Sequence, residues 1–533
     1  MICVDVAKTP LWQRTERRGS LRLVSEPRPV RTRLADAIET GSLAIGRSHR
    51  LHRPRGGFCA RGYCQQCPLA GNEGLACEVP SNGRAPRASA DLVRPLGWIG
   101  ESMEPWFYER RFLRPRFARQ PILEVLRRLS AAHTLGDRTT WDTAKPRSLE
   151  TDVLVVGGGP AGLAAAAAVS AAGRRTLIMT QGPVGGRQPR ASAAHERVAA
   201  DVETIRSTGA DVMEGSLCVG YYPDEGVFAA VGDGGPVAIR AARVVVATGA
   251  YDRTLVVPGI DLPGALGGRA FERLTAQDAF RGRLRIGVFA APSEAGRIVA
   301  AAHAARVSLA WIAGPGDLPP GDVEAHPGRG LRRIEGGRAV RRVVLDDGRE
   351  LPADIVVLGF TQPTYELQVH LGQTASIGGE PPVVQTSGAT ALPMVVVGEA
   401  ADDRDPEGAA ERAAKRAAAW LVGPGEATTL ATARTAPAMD LDPEATACIC
   451  EDVTVAAIDR AIADGFGDIE LLKRRSGACT GACQGKLCLG PVGEVLRARG
   501  LAAGLPTIRP PIRPVSIASL AGQMAGETAG ETG

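Results

Sequence analysis

Four cysteines crowd into one short loop near the N-terminus, in the stretch GGFCARGYCQQCPLAGNEGLACEVP. Cys59, Cys64 and Cys67 follow a C-x4-C-x2-C pattern, and Cys77 comes after nine further residues. Three thiolates at this spacing, closed by a fourth, are typical of loops that wrap a plant-type [2Fe–2S] cluster. The glycines and small residues suit such a loop, because backbone N–H groups must turn inward toward the sulfurs. Four thiolates around zinc is the alternative, although zinc modules usually have a C-x2-C pair in each half and this loop has only one.

A second group of cysteines lies near the other end of the chain. They form a C-x-C and, after 32 residues, a C-x4-C: Cys448, Cys450, Cys483 and Cys488. We expect two short loops, held together by helices, to bind a second [2Fe–2S] cluster, with zinc again as the alternative. The basic run at 473–475 is expected to offset the negative charge of the thiolates. Cys479 is expected not to be a ligand, since the other cysteines complete the spacing.

The composition is that of a globular protein with 533 residues, 44% hydrophobic and 23% charged, and a formal net charge of +5. So small a charge gives no reason to expect a nucleic acid partner. No apolar stretch reaches the roughly 20 residues that span a bilayer, and the first residues lack the apolar segment of a secretory signal. We therefore expect a cytoplasmic protein without a membrane span. Because disulfides are disfavoured there, its eleven cysteines indicate metal or redox chemistry.

At residue 150 the sequence changes to TDVLVVGGGPAGLAAAAAVSAAGRRTLIMT, which predicts a strand, a tight turn, an alanine-rich helix and a strand. The turn has the G-x-G-x-x-G pattern and consists of Gly157, Gly158, Gly159, Pro160, Ala161 and Gly162. Its glycines allow the turn, the approach of a pyrophosphate and close helix packing, and the helix N-terminus offers free N–H groups. This predicts a dinucleotide site. Gln181 stands where an acidic residue usually binds the ribose, and it can hydrogen-bond only without the assistance of a charge.

Further segments follow in a recognisable order: GPVGGRQ, VVVATGAYDRTLVVPG and LPMVVVGEAADD. Together with the glycine turn they resemble the flavoprotein disulfide-reductase superfamily, which has two dinucleotide-binding domains. The resemblance implies FAD as a cofactor. It implies cofactor contacts from the turn, from Gln181, and from Gly186, Arg187, Thr248, Gly249, Gly398 and Glu399. The pair Gly398–Glu399 departs from the glycine–aspartate pair of that superfamily by one methylene.

The second dinucleotide turn of that superfamily is degenerate in this chain. Aligned strand to strand, LRIGVFAAPSEAGRIV puts Ala290, Pro292 and Ala295 where the three glycines would stand. Side chains there crowd a pyrophosphate, and the proline removes a backbone donor. We therefore expect a second domain that keeps the fold but binds NAD(P) poorly or not at all. The α/β region also lacks a C-x-x-C pair, which argues against a thioredoxin-reductase type of mechanism.

The cysteine loops carry a more specific resemblance. GRSHRLHRPRGGFC, CQQC and the following AC pair resemble the N-terminal ferredoxin-like module of certain amine dehydrogenases. These include the alpha subunits of sarcosine and opine oxidases and the small subunit of hydrogen cyanide synthase. The second group resembles the bacterioferritin-associated ferredoxin (BFD) type of domain. Further matches, YERRFLRP and PTIRPPIRPVSIASLA, extend the resemblance over roughly residues 20–515.

The expected fold is α/β, a Rossmann-like flavoprotein with two dinucleotide-binding domains between two smaller iron–sulfur domains. The boundaries are a β-rich ferredoxin-like domain at 20–100, a connector at 101–149, an FAD-binding region at 150–425, a helical BFD-like domain at 440–500 and a tail at 501–533. The degenerate nicotinamide subdomain occupies about 265–365.

The resemblance implies the electron-transfer subunit of a multicomponent dehydrogenase. A partner β subunit, a flavoprotein similar to D-amino-acid oxidase, would oxidise a secondary amine or amino acid such as sarcosine, proline, hydroxyproline, an opine or glycine. Electrons would pass through this chain to an acceptor such as a quinone. Two alternatives stay open: a self-sufficient NAD(P)H-dependent reductase, and a non-redox scaffold that binds zinc. No catalytic acid–base pair is visible in the flavin motifs.

Overall fold

The structure is a computed structural model that describes residues 30–48, 51–69, 74–86, 117, 120–121, 147–186, 193–232, 235–378, 383–401, 408–422 and 441–515. Arg187, nearly all of the predicted connector and the end of the predicted tail lie outside these residues. Among the helices that are described, none has the length and apolar character needed to cross a membrane.

The N-terminal region folds around its cysteine loop. Its described elements are helix α1 (Arg33–Glu39) and the antiparallel strands β1 (Gly46–Arg47) and β2 (Pro54–Arg55). The N–H of Leu34, in the first turn of α1, donates to the carbonyl of Ala76 at 2.8 Å. Leu34 and Ile38 are buried in one hydrophobic core with Cys67 and Cys77, so the helix closes over the loop.

The first α/β unit is built on a sheet that, in the described residues, has seven strands in the order β5-β4-β3-β8-β7-β6, with β21 beside β8. The strands are β3 (Arg147–Val156), β4 (Thr176–Met179), β5 (Asp211–Met213), β6 (Ser216–Tyr222), β7 (Val227–Gly232), β8 (Val237–Val246) and β21 (Met394–Val396). The helices are α2 (Pro160–Ala171), α3 (Ala193–Thr208) and α7 (Ala409–Val422). The runs at 153–156 and 244–246 are buried, as in parallel strands covered on both faces.

The second α/β unit has a parallel sheet of five described strands in the order β10-β17-β11-β12-β13 and a three-stranded antiparallel sheet, β14-β15-β16. The strands are β10 (Ala265–Gly267), β11 (Ile286–Ala290), β12 (Trp311–Gly314), β13 (Glu324–Pro327), β14 (Leu331–Gly336), β15 (Val340–Leu345), β16 (Glu350–Pro352) and β17 (Ile355–Gly359). Helices α4 (Gly268–Thr275) and α5 (Pro292–Ala304) follow β10 and β11.

Two antiparallel ribbons connect the units. Strands β9 (Ala250–Asp252) and β18 (Thr361–Pro363) form what we call the β9–β18 ribbon. Strand β9 follows the last strand of the first unit's α/β core, and β18 follows β17 of the second unit. Helix α6 (Glu366–His370) and the ribbon of β19 (Thr374–Gly378) and β20 (Val383–Ser387) come next.

The C-terminal region is helical around its cysteines. It contains β22 (Thr446–Cys448), β23 (Val453–Thr454), α8 (Val455–Ala463), α9 (Ile469–Ser476) and α10 (Leu489–Ala498). The Thr454 and Asp468 side chains cap α8 and α9 by accepting hydrogen bonds from first-turn N–H groups. The predicted α/β fold with a helical C-terminal region is confirmed.

Candidate functional site

In the turn between β3 and α2, two glycines lie too close to the backbone for a side chain to fit. The third has open space beside it. Gly157 has φ +112°, and a Cβ there would lie 2.2 Å from the Ala247 carbonyl oxygen. A Cβ on Gly162 would lie 2.0 Å from the Gly157 carbonyl oxygen. A Cβ on Gly159 would meet no described heavy atom within 4 Å. The backbone is therefore uncovered at the position where a pyrophosphate approaches in dinucleotide-binding turns.

The start of α2 is also suited to an anion. Its N-cap is Gly159, which provides no side-chain cap, and Pro160 occupies the first turn. The first-turn N–H groups therefore have no side-chain partner, and the positive end of the helix dipole points to the same place. Gly186 (φ +67°) lies beside this turn, because a Cβ there would stand 3.7 Å from Pro160.

The two remaining cofactor segments, Thr248–Gly249 and Gly398–Glu399, meet next to the turn. A Cβ on Gly398 would lie 2.7 Å from the Cβ of Ala161, and a Cβ on Gly249 would lie 3.6 Å from Glu399 Oε2. Thr364 fixes the intervening backbone, since its N–H donates to the Gly249 carbonyl at 3.0 Å and its hydroxyl lies 2.5 Å from that of Thr248. The structure thus brings together the described residues that the sequence assigned to FAD, and their geometry fits a dinucleotide.

Gln181 has a partner that the sequence did not indicate. Its Oε1 accepts a hydrogen bond from Arg513 Nη1 at 3.1 Å. Arg513 Nη2 also lies 3.2 Å from Glu78 Oε1, next to the first cysteine loop. The C-terminal segment therefore passes over the ribose position predicted at Gln181 and joins it to the N-terminal region.

Glu399 is held as a carboxylate by two arginines of the second unit. Its Oε1 accepts from Arg269 Nη2 at 2.5 Å and from Arg297 Nη1 at 2.9 Å. Burial alone would raise the pKa of Glu399, but these guanidinium groups lower it below the ordinary glutamate value. One carboxylate oxygen of Glu399 thus binds the two arginines while Oε2 faces Gly249.

Charged side chains of the protein itself lie at the degenerate second turn. Helix α5 begins at Pro292, and its first turn carries the buried Glu294. Glu294 Oε1 lies 3.7 Å from Arg269 Nη2, and its Oε2 lies 3.9 Å from Arg297 Nη1. A buried carboxylate at a helix N-terminus repels the phosphate that would otherwise bind there. This geometry gives a physical reason for the prediction that the second domain binds NAD(P) poorly or not at all. No observation tests that prediction directly.

The cysteines of the first loop are buried and lie in two pairs. The Cys59 and Cys64 thiols contact each other, and so do those of Cys67 and Cys77. Backbone N–H groups of Arg61 and Cys64 donate to Cys59 Sγ at 3.4 Å and 3.3 Å, as expected for a cluster-wrapping loop. Burial raises the pKa of Cys59, but the Cys64 thiol and these N–H groups bring it below the ordinary thiol value.

The thiols of the second group form a continuous contact. Cys450 Sγ lies 3.7 Å from Cys448 Sγ and 3.6 Å from Cys483 Sγ. Cys488 contacts Cys448 and Cys483, which closes the ring. Cys479 Sγ, which the spacing did not include, lies 3.6 Å from Cys488 Sγ. The four predicted ligands are therefore together, and a fifth sulfur borders them.

The arrangement of the thiols bears on the choice of metal. Within the described residues, no group of three or more His, Cys, Asp or Glu side chains is arranged to hold one metal ion. A structural zinc ion needs four ligands that converge on one point, whereas a [2Fe–2S] cluster places two ligands on each of two irons. The two thiol pairs of the first loop are compatible with the second requirement, and the choice between iron and zinc stays a prediction.

The cation at the second cysteine group is Lys486 rather than the predicted basic run. Lys473 and Arg475 form ion pairs with Glu470 and Asp464, each at 2.7 Å. Hydrogen bonds from Cys450 and Cys488 hold the pKa of Cys483 well below the ordinary value, and the charge of Lys486 adds to this effect. The single lysine between Cys483 and Cys488 was the available signal in the sequence.

The two cysteine regions touch each other directly. Arg55 of β2 is buried, and its Nε donates to the Ile449 carbonyl at 3.2 Å. Its guanidinium forms an ion pair with Asp452 and a second with Asp261, the latter at 2.7 Å. The Leu51 N–H also donates to Asp452, at 3.0 Å. The first and last regions of the chain are thus joined by a buried charge cluster.

We expect Gly159→Ala to weaken dinucleotide binding without affecting folding. The new methyl has free space in the protein but stands where the pyrophosphate would approach, so flavin affinity should fall at least about tenfold, which is about 1.4 kcal/mol. The free energy of unfolding of the flavin-free protein should change by no more than about 0.5 kcal/mol. Flavin titration and urea unfolding measure the two effects.

Gly157→Ala provides the matched contrast, because its methyl collides with the Ala247 carbonyl and its positive φ disfavours alanine. That variant should unfold more readily even without flavin. Equal flavin affinity in Gly159→Ala and the unmodified chain would contradict the placement of the pyrophosphate.

Asp252 should make stability depend on pH. It is fully buried, and burial raises its pKa from 3.8 to about 6, although the charges of Arg269 and Arg61 and the Tyr63 hydroxyl oppose this. The folded state therefore binds a proton that the unfolded state has released, and stability falls as pH rises between those values. Relative to Asp252→Asn, the unmodified chain should lose about 2 kcal/mol of unfolding free energy between about pH 4 and about pH 7.

Urea unfolding of both proteins at several pH values measures this difference. A difference that does not change with pH would show that Asp252 titrates at its ordinary pKa. Asparagine keeps the side-chain shape of aspartate but does not titrate. The difference between the two proteins therefore isolates the contribution of Asp252 from those of the other titrating groups.

Two segments of the chain match known protein families. Residues 444–523 match the Sarcosine oxidase A3 domain, and residues 151–284 match the Pyridine nucleotide-disulphide oxidoreductase family. The latter family implies FAD as the cofactor of the first α/β unit.

Two curated relatives match part of the chain. The sarcosine oxidase subunit alpha of Rhizobium meliloti is 29% identical over 273 residues, which is 44% of this chain and 28% of the relative. That of Corynebacterium sp. is 28% identical over 263 residues, 43% of this chain and 23% of the relative. The chain thus matches about a quarter of the length of each.

Among solved structures, L-proline dehydrogenase from P. horikoshii superposes with a TM-score of 0.63 at 17% identity. The superposition covers 91% of this chain and 93% of that one. At this identity the likeness concerns the fold.

Proposed function

We propose that this chain, which is similar over part of its length to the sarcosine oxidase alpha subunits, is an electron-transfer subunit. In this proposal it carries FAD and two [2Fe–2S] clusters and serves a multicomponent dehydrogenase of secondary amines or amino acids. The observation that carries the proposal is the pairing of buried thiols in the first loop, in the same fold as a flavin-type glycine turn. Oxidoreductase chemistry on a flavin is the part common to the family.

FAD, when bound, supplies the link between two-electron oxidation of a substrate and one-electron transfer. The chain's own residues hold and orient it. The glycine turn and the start of α2 would receive the pyrophosphate, and Gln181 would stand at a ribose. The Glu399 carboxylate accepts hydrogen bonds from Arg269 and Arg297 beside Gly249. Arg269 and Arg297 keep that carboxylate ionised and fixed.

The cysteine loops would hold the clusters and set their environment. In the first loop, the N–H groups of Arg61 and Cys64 stabilise negative charge on a thiolate. In the second, the buried Lys486 provides a positive charge. Hydrogen bonds to sulfur, net charge and burial are the protein's means of adjusting cluster potential. We propose the domain boundaries predicted from the sequence as the limits of these parts.

The partner in this proposal is a second flavoprotein subunit, similar to D-amino-acid oxidase, on which the C–N bond of the substrate is oxidised. Support comes from the subunit naming of the curated relatives, which are alpha subunits of sarcosine oxidase. A quinone is the proposed class of acceptor, and sarcosine, proline, hydroxyproline, opines and glycine are the proposed candidates for substrate.

Co-expression of the chain with the product of the neighbouring open reading frame tests the proposal, which requires that frame to encode a flavoprotein similar to D-amino-acid oxidase. The two should purify together and reduce an artificial dye when given one of these amines, and neither should do so alone. If NADH bleaches the flavin of this chain rapidly without a partner, the chain is instead a self-sufficient reductase. The occupied second turn argues against that outcome.

A further inference from the structure

The β9–β18 ribbon is contacted by both cysteine loops. From the first loop, the Tyr63 hydroxyl donates to Asp252 Oδ2 at 3.1 Å and accepts from the Asp252 N–H at 2.7 Å. From the second, the Leu487 carbonyl accepts from Thr254 Oγ1 at 3.0 Å, two residues beyond the end of β9. Loops from opposite ends of the sequence therefore rest on one short element.

Tyr251, in the middle of β9, makes the aromatic contact with the first loop. Its ring centroid lies 4.7 Å from that of Tyr63, with the planes tilted by 50°. This distance is in the range of favourable aromatic pairs. Because Tyr63 is bonded to Cys64, the contact begins one residue from a predicted cluster ligand.

The other end of Tyr251 is connected to the second loop. Its hydroxyl donates to Glu366 Oε1 at 3.0 Å. The same oxygen lies 3.7 Å from the Nζ of Lys486, and the side chains of Glu366 and Lys486 are 5% and 2% exposed. Lys486 stands between Cys483 and Cys488. A series of short contacts through Tyr63, the partly buried Tyr251 and the buried pair Glu366–Lys486 therefore connects the two cysteine loops.

The space between the loops is packed hydrophobic core. Tyr63, Cys64, Cys483 and Cys488 belong to one cluster of buried residues, and the partly buried Tyr251 packs against it. Protein cores are as dense as organic crystals. Electron tunnelling is faster through such a medium than across a gap, so a ring that fills this space increases the coupling between its two sides.

We propose that Tyr251 is the residue that couples the two cysteine loops electronically, through its ring contact with Tyr63. This inference rests on the proposed function, since it requires a cluster in each loop. The step transfers one electron from the reduced centre in one loop to the oxidised centre in the other. No bond forms or breaks, no proton moves, and Tyr251 stays a neutral phenol throughout.

The test uses the purified full chain with both clusters and compares Tyr251→Leu with Tyr251→Phe. A flash with a photoexcited deazaflavin supplies one electron, and freeze-quench EPR follows its redistribution between the clusters. Tyr251→Leu should slow this step at least about tenfold, or about 1.4 kcal/mol of activation free energy. Tyr251→Phe, which keeps the ring and loses the Glu366 hydrogen bond, should stay within about twofold of the unmodified rate.

Cluster potentials and iron content should be unchanged in both variants, which separates a loss of coupling from a loss of a cluster. Tyr221→Leu is the control, because Tyr221 also forms a ring pair, with Phe228 at 4.8 Å, away from the loops. If Tyr251→Leu does not fold, Tyr63→Leu removes the other ring of the same contact.

An unchanged rate in a folded leucine variant with both clusters would overturn the inference and leave the Arg55–Ile449 contact as the route. Failure of the proposed function would look different, because the unmodified chain would then lack two EPR-active clusters from the start.

Discussion

Replacing Cys64 with serine is expected to remove one of two [2Fe–2S] EPR signals and about half of the iron, because each cluster accounts for about two of four iron atoms. Cys64 is buried, and its thiol pairs with Cys59, so serine leaves one iron short of a thiolate where water cannot easily replace it. Cys483→Ser should remove the other signal and the other half. EPR of the dithionite-reduced protein and iron analysis measure the losses.

Cys218→Ser is the matched control. Cys218 is buried in the first α/β unit, away from both loops, and burial raises its pKa to about 12, so it remains a neutral thiol. Its replacement should leave the iron content and both signals intact. Full iron content in Cys64→Ser or in Cys483→Ser would show that the ligand assignment for that loop is wrong.

Replacing Arg55 with methionine is expected to cost about 3–5 kcal/mol of unfolding free energy, because it leaves a buried carboxylate without its partner. The side chains of Arg55 and Asp452 are 2% and 0% exposed. Burial raises the pKa of Asp452, and the charge of Arg55 opposes that rise. Without Arg55 the Asp452 carboxyl group should take up a proton more readily. The loss of unfolding free energy should therefore be smaller at acidic pH. Urea unfolding at neutral and acidic pH measures both effects.

Arg175→Met provides the comparison for this prediction. Arg175 forms an ion pair with Asp152 at 2.8 Å, but its side chain is 72% exposed, so its loss should leave the free energy of unfolding near that of the unmodified chain. The double variant Arg55→Met/Asp452→Asn should be less destabilised than the sum of the two single variants. Strict additivity would mean that the two side chains do not interact across the joined regions.

Local sequence patterns predicted the local parts of the site. The G-x-G-x-x-G turn between a β-branched strand and an alanine helix has the expected geometry, because its constraints act within a few residues. The spacing of the cysteines within each group likewise predicts which thiols come together. The order of the flavin segments was sufficient to predict the α/β fold.

Contacts between distant segments could not be predicted in the same way. Arg55 and Asp452 are 397 positions apart, and neither belongs to a motif. Tyr63 and Tyr251 are single aromatic residues whose meeting depends on how a loop rests on a ribbon. The basic run at 473–475 was a misleading signal. Lys473 lies three residues after Glu470 on the same helix and forms an ion pair with it rather than with the thiols.

The proposed electron-transfer function depends above all on iron bound by both cysteine groups of a flavin-carrying chain. Elemental analysis and flavin extraction of the freshly purified, full-length protein test this most directly. We predict about four iron atoms per chain, in two [2Fe–2S] clusters, together with FAD. Stoichiometric zinc with little or no iron would contradict it.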